Sequence, residues 1–87
     1  MSVPDLIRER LASFAPEHIE IIDDSAKHAG HAGARSGGGH YRLAITSRAF
    51  EGLKTMQRHR LVYDALGPLM RQEIHALSID ARTPEER

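Results

Sequence analysis

Apolar positions first recur at helical spacing. Leu6, Ile7, Leu11 and Phe14 follow the start signal Ser2-Val3-Pro4-Asp5. Ser2 can cap the helix, Pro4 suits a first turn whose N–H groups lack partners, and Asp5 favours the positive end of the helix dipole. Pro16 ends that helix, because the residue before a proline avoids the α region. His18 to Asp24 then reads as a strand rich in β-branched residues, although its alternation slips at Ile21-Ile22. Ser25 to Gly39 holds five of the seven glycines and almost nothing to bury, so it reads as a loop. His40 to Thr46 is the clearest strand. Tyr41, Leu43 and Ile45 share one face, and His40, Arg42 and Thr46 the other.

Ser47-Arg48-Ala49-Phe50 reads as a capped helical turn that Gly52 closes. Thr55 can cap the next helix. Along it Met56, His59, Tyr63, Leu66 and Met70 follow a 3-4-3-4 spacing, with Val62 and Leu69 widening the stripe. Pro68 has no N–H to donate to Asp64, so a kink or break is expected at Gly67-Pro68. Ile74 to Ala81 is a third strand, with His75, Leu77 and Ile79 on one face. Thr83-Pro84-Glu85-Glu86 carries a cap, a first-turn proline and a glutamate three residues past the cap, which is a capping box. The order is helix, strand, strand, short helix, helix, strand, turn. Three strands with an apolar face need helices packed over it, and the third strand arrives after a helix. The expected fold is therefore α+β, a three-stranded mixed sheet with helices on one face.

Length and composition narrow the picture. At 87 residues the chain is read as a single domain, residues 1–87, with no core to spare for a deep, closed cavity. No run of 18 apolar residues is present, so no membrane span is expected. Met1 to Arg10 lacks an apolar signal core, which points to a cytoplasmic protein. Lys and Arg number 12, as do Asp and Glu; this neutrality weighs against a dedicated nucleic-acid binder without removing a local basic patch. There is no cysteine, hence no disulfide framework and no thiolate chemistry of the chain's own. Neither a Gly-x-Ser-x-Gly elbow nor a phosphate loop is present, and the chain is read as a non-enzyme. The anomaly is histidine, at positions 18, 28, 31, 40, 59 and 75.

Four ordered motifs resemble the BolA family: Phe50-Glu51-Gly52, Gln57 to Tyr63, Ile74-His75-Ala76-Leu77 and Thr83-Pro84-Glu85. The loop from His28 to Gly33, followed by Gly39-His40-Tyr41, is similar to the segment joining that family's first two strands. The resemblance covers nearly the whole chain. It implies a fold like that of class II KH domains, in the order αββααβ. It also implies a partner, a monothiol glutaredoxin, with which the protein shares a [2Fe–2S] cluster. The glutaredoxin side brings thiolates from its own cysteine and from glutathione. The BolA-like side brings a histidine near the start of its last strand and a second ligand from the glycine-rich loop. Other members of the family are DNA-binding transcriptional regulators.

Carried onto this chain, the strand ligand is His75. The loop ligand is His31 or His28: counting back from Gly39-His40-Tyr41 favours His31, and counting forward from Asp24-Ser25 favours His28. No cofactor is expected in the isolated chain, which is read as a monomer or weak homodimer. Imidazole ligation raises a cluster's potential relative to thiolate and adds proton competition near neutral pH. From the residues alone, His75 beside Leu77 and Ile79 reads as a packed histidine, and His28 and His31 as a solvated polar loop. The His28/His31 pair could also hold zinc, with His40 or His75 completing the site. His40 is expected close to the ligands as a supporting partner, and His59 is read as structural. Lys54, Arg58 and Arg60 form a candidate basic face for DNA. The Gly-x-x-Gly loop with which KH domains grip a nucleic-acid backbone is absent; Phe50 to Thr55 occupies that stretch.

Overall fold

The computed structural model describes residues 2–24 and 39–86. The first helix, α1 (Val3–Leu11), begins as its sequence dictates: Ser2 Oγ accepts from the Asp5 N–H at 3.2 Å, and Asp5 Oδ2 accepts from the Ser2 N–H at 3.4 Å. This reciprocal cap satisfies two donors that the first turn leaves free. The helix buries Ile7 and Leu11. The chain then tightens into a 3-10 turn over Ala12–Phe14, and Ala15 takes the left-handed conformation at φ 45°. That reversal, just before Pro16, sends the backbone into β1 (His18–Asp23).

β1 pairs antiparallel with β2 (Gly39–Thr46), and β2 pairs parallel with β3 (Ile74–Arg82), giving the spatial order β1-β2-β3. A parallel pair needs a crossover, supplied here by α2 (Thr55–Leu66) and α3 (Leu69–Gln72). The mixed sheet and the αββααβ order agree with the sequence reading. Tyr41, Leu43 and Ile45 point from the central strand into a core completed by Ile7, Leu11, Phe50, Val62, Leu66, Leu69 and Ile74. Each such aliphatic or aromatic burial contributes about 1.5–3 kcal/mol. On the other side of the sheet, the surface depressions are lined by strand residues and their immediate flank alone. Among the described residues, helices therefore cover one face and no element covers the other.

Ser47 joins sheet to helices. Its buried hydroxyl accepts from the Ala49 N–H at 3.0 Å, capping the turn Arg48–Phe50, and donates to the Phe14 carbonyl at 2.6 Å. The expected break at Gly67-Pro68 is present: Gly67 adopts φ 52° and Pro68 opens α3. Glu86 also completes the last turn as expected, accepting from the Thr83 N–H at 2.9 Å.

Three expectations are corrected. Thr55 is the first helical residue of α2 and not its cap; Lys54 precedes it in extended geometry, and the Gln57 side chain accepts from the Lys54 N–H at 2.8 Å. The stripe through Met56, His59 and Tyr63 does not face the core. Met56 is 76% exposed and Tyr63 41%, while Val62 and Leu66 are fully buried. Arg58 lies one and two turns before these two on the inward face, so a residue expected on an exposed basic face is drawn inward. Finally, Ile74 rather than His75 turns toward the core.

Candidate functional site

The start of β3 is irregular, and the irregularity decides where His75 points. Gly39 pairs with Ile74, but His40 pairs with Ala76, leaving His75 as one extra residue on β3. Such a bulge shifts the alternation by one position and re-aims the side chains on either side of it. Ile74 consequently takes the inward place, while Leu77, Ile79 and Ala81 continue the half-buried core side. His75 turns out to the open face and is exposed. The face shared by His75, Leu77 and Ile79 in the sequence reading is thus overturned by a register shift.

On the open face His75 stands next to His40. Their ring centres lie 5.0 Å apart with the planes inclined at 36°. His40 is half-buried at the start of β2. Neighbouring hydrogen bonds fix its backbone. The Asp24 N–H donates to the His40 carbonyl at 2.7 Å, and the Gly39 N–H donates to the Glu73 carbonyl at 2.9 Å. Arg42, next on the same face, holds the Asp24 carboxylate, with Nε 2.6 Å from Oδ2. A shallow depression of about 320 Å³ opens here, lined by Asp24, His40, Tyr41, Arg42, Ala76, Leu77 and Ser78. His75 is exposed at this end of the sheet, and His40 is half-buried.

The remaining expected residues are dispersed. His31 and His28 lie outside the described residues. His18 is exposed at the start of β1 opposite Thr46, at the other end of the sheet from His40. His59 is half-buried on the outward side of α2, in an apolar depression with Met56, Arg60 and Tyr63. Among the described residues, no group of three or more histidine, cysteine, aspartate or glutamate side chains converges on one point. The imidazoles described at this end of the sheet are those of His75, at the start of β3, and His40, at the start of β2.

The basic candidates part company. Lys54 and Arg60 are exposed, whereas Arg58 is drawn inward. Its Nε donates to the Leu53 carbonyl at 2.9 Å, Nη1 to the Ala81 carbonyl at 3.1 Å, and the guanidinium grips Glu86 through both carboxylate oxygens. The Arg58 hydrogen bonds, followed by the Thr83 N–H, hold the Glu86 carboxyl down at about 2, from an ordinary 4.5. This clasp was not read from the sequence. The capping box around Thr83 was its only visible signal, and that box does not reveal a partner on α2.

A three-stranded mixed sheet with helices on one face, and with the exposed His75 beside the half-buried His40 on the other, defines a small α+β domain. The chain belongs to the BolA-like family: the family model described as BolA-like protein matches residues 11–86. The chain is similar to SufE-like protein 1, chloroplastic/mitochondrial, of Arabidopsis thaliana, at 44% identity over 92% of this chain and 23% of that protein. It is also similar to the DNA-binding transcriptional regulator BolA of Escherichia coli (strain K12), at 32% identity over 99% of this chain and 80% of that one. The solved BolA domain of SufE1 from Arabidopsis thaliana superposes with a TM-score of 0.85 at 40% identity, covering 100% of this chain and 99% of that chain. The chain spans less than a quarter of the SufE-like relative and just over half of several other relatives. No helix among the described residues is long and apolar enough to cross a membrane.

Proposed function

We propose that the protein is a non-catalytic partner in iron–sulfur assembly or its regulation, acting in the cytoplasm. It binds a monothiol glutaredoxin and contributes His75 and one loop histidine, His31 or His28, to a bridging [2Fe–2S] cluster. The observation that carries this reading is the bulge, which lifts His75 out of the core register onto an accessible face. The resemblance to the family, which implies a ligand near the start of the last strand, supports it. The donor set fits such a group: with six histidines and no cysteine the chain offers imidazole but no thiolate, so the thiolates come from the partner. Mixed nitrogen and sulfur ligation gives the cluster a higher potential than four thiolates would. His75 presents an imidazole, His40 packs beside it, and Arg42 with Asp24 keeps the strand end in place.

The test is reconstitution with iron, sulfide, glutathione and a monothiol glutaredoxin, followed by visible circular dichroism. His75→Ala is expected to abolish the heterocomplex spectrum, and one of His31→Ala and His28→Ala to alter it. A wild-type spectrum in all three variants would remove the reading.

A second reading, DNA-binding transcriptional regulation, is favoured by the similarity to the Escherichia coli regulator. Lys54, just before α2, and Arg60 on it are the exposed cations of that candidate set, since Arg58 is engaged with Glu86. Phosphate contacts make such binding fall steeply with salt, so no binding at about 50 mM salt would remove it.

A further inference from the structure

We propose that the outer edge of β3 pairs antiparallel with the same edge of a second copy of this chain, on a two-fold axis at Ser78. The two three-stranded sheets then join into one. This surface does not depend on the cluster reading and uses no histidine.

β3 lies at the edge of the sheet, so alternate residues turn their N–H and C=O groups away from β2. Two hydrogen bonds fix which ones. The Ser47 N–H donates to the Arg82 carbonyl at 2.9 Å, so Arg82, and with it Asp80, Ser78 and Ala76, face β2 through their backbone groups. Arg58 Nη1 donates from α2 to the Ala81 carbonyl at 3.1 Å, so Ala81, and with it Ile79 and Leu77, face outward. Edges are commonly closed by charged side chains, bulges and prolines. Here Arg58 closes one end, with Pro84 just beyond, and the bulge at His75 closes the other. Between them, none of the described residues bonds the outward N–H and C=O groups of Leu77 and Ile79.

One register fits that open stretch. Leu77 set opposite Ile79 of the second copy exchanges both bonds of a hydrogen-bonded pair, and the two-fold axis repeats the exchange. Every outward group of Leu77 and Ile79 is then satisfied, and the Ala81 carbonyl stays with Arg58. Neighbouring registers fail. With Ile79 on the axis, Leu77 meets Ala81, whose carbonyl is already taken. With Asp80 on the axis, two carboxylates stand face to face, which is destabilising. With Leu77 on the axis, Ile79 meets the bulged His75.

The side chains favour a second copy in this register. On the exposed face Ser78 meets Ser78, and the small Ala76 meets Asp80, whose carboxylate is already held by Arg82 at 2.9 Å. No like charges oppose one another. On the helix side the half-buried Leu77 and Ile79 meet Ile79 and Leu77, which carries the rim of each apolar core across the junction. Lys and Arg number 12, as do Asp and Glu, so two copies approach without net repulsion. The junction is short, and the dimer it makes is weak and reversible.

Sedimentation velocity of the full chain follows its mass with concentration. The mass is expected to rise towards twice the monomer value as concentration approaches about 1 mM. Ser78→Lys, at an exposed position, sets two like charges together on the axis and is expected to weaken the dimer by about tenfold or more. Because the chain has no cysteine, single-cysteine variants report the register. The two Ser78 positions face each other with Cα atoms about 4.5 Å apart, within disulfide reach. The two Ala76 positions are offset along the strands by about 13 Å. Under mild oxidation Ser78→Cys is expected to form a disulfide-linked dimer about tenfold or more faster than Ala76→Cys. Thermal melts confirm that each variant folds; if Ser78→Lys does not, the cysteine pair decides. A chain that stays monomeric up to about 1 mM overturns the proposal and leaves this edge to a strand of another protein. A dimer unchanged in folded Ser78→Lys, or equal cross-linking of the two cysteine variants, overturns it by placing the junction elsewhere.

Discussion

Single side chains hold the two ends of this fold together, and each acts through hydrogen bonds that cross a long stretch of sequence. The Ser47 hydroxyl ties the start of one helical turn to the carbonyl of Phe14, 33 residues away. Ser47→Ala leaves that carbonyl and the Ala49 N–H without a buried partner, which is expected to cost about 1–3 kcal/mol. A melt checks it, at roughly 4–8 °C for each kcal/mol in a domain of this size. The Arg58–Glu86 clasp carries a pH signature. Glu86 has a folded-state pKa depressed to about 2 from an ordinary 4.5. The folded state therefore binds this proton less readily than the unfolded chain, and the clasp's stabilisation is complete above pH 4.5. It is lost as pH falls from there through about 2. Glu86→Gln is expected to be less stable than wild type at pH 7, with the gap closing as acid melts approach pH 2. A gap that is constant across that range would show that the carboxylate charge contributes nothing. The clasp escaped the sequence reading because Arg58 looked like one of several cations on a solvated helix, and nothing local announces a partner 28 residues on.

At the level of elements, the hydrophobic pattern conveyed which segments are helix and strand, and where they begin and break. Ser2, Gly67-Pro68 and the Tyr41/Leu43/Ile45 alternation all act as their chemistry dictates. The pattern was less informative about which way an element faces. Two stripes interleave on α2. One, through Met56, His59 and Tyr63, is apolar by composition yet solvent-facing, and the other buries Val62 and Leu66 behind the stem of Arg58. Leu66→Ala should therefore cost about 2–5 kcal/mol, while Met56→Ala should stay within about 0.5 kcal/mol. Equal destabilisation of the two, measured by denaturant unfolding, would contradict the observed orientation. The bulge in β3 was illegible for a related reason. A period-two reading places His75 with Leu77 and Ile79, and only the pairing of Gly39 with Ile74 reveals the extra residue.

For the whole molecule, the consequence is a division of labour between the two sides of one sheet. The covered side is a conventional apolar core, and the open side is a polar surface on which a register shift sets two imidazoles together. Membership of the BolA-like family was legible in the motifs around Phe50, Gln57 to Tyr63, His75 and Thr83, and the family match over residues 11–86 agrees with it. The outward orientation of His75 was not legible in the sequence, and the loop positions His28 and His31 lie outside the described residues. The central claim is that a histidine of this chain ligates a cluster whose thiolates come from a partner. It is tested most directly by labelling this chain's histidines with ¹⁵N, forming the cluster with unlabelled glutaredoxin and glutathione, and reading nuclear couplings in the reduced complex by pulsed electron paramagnetic resonance. The account predicts ¹⁵N couplings from the labelled chain, with the His75 contribution missing in His75→Ala. Identical spectra for labelled and unlabelled chains would contradict it.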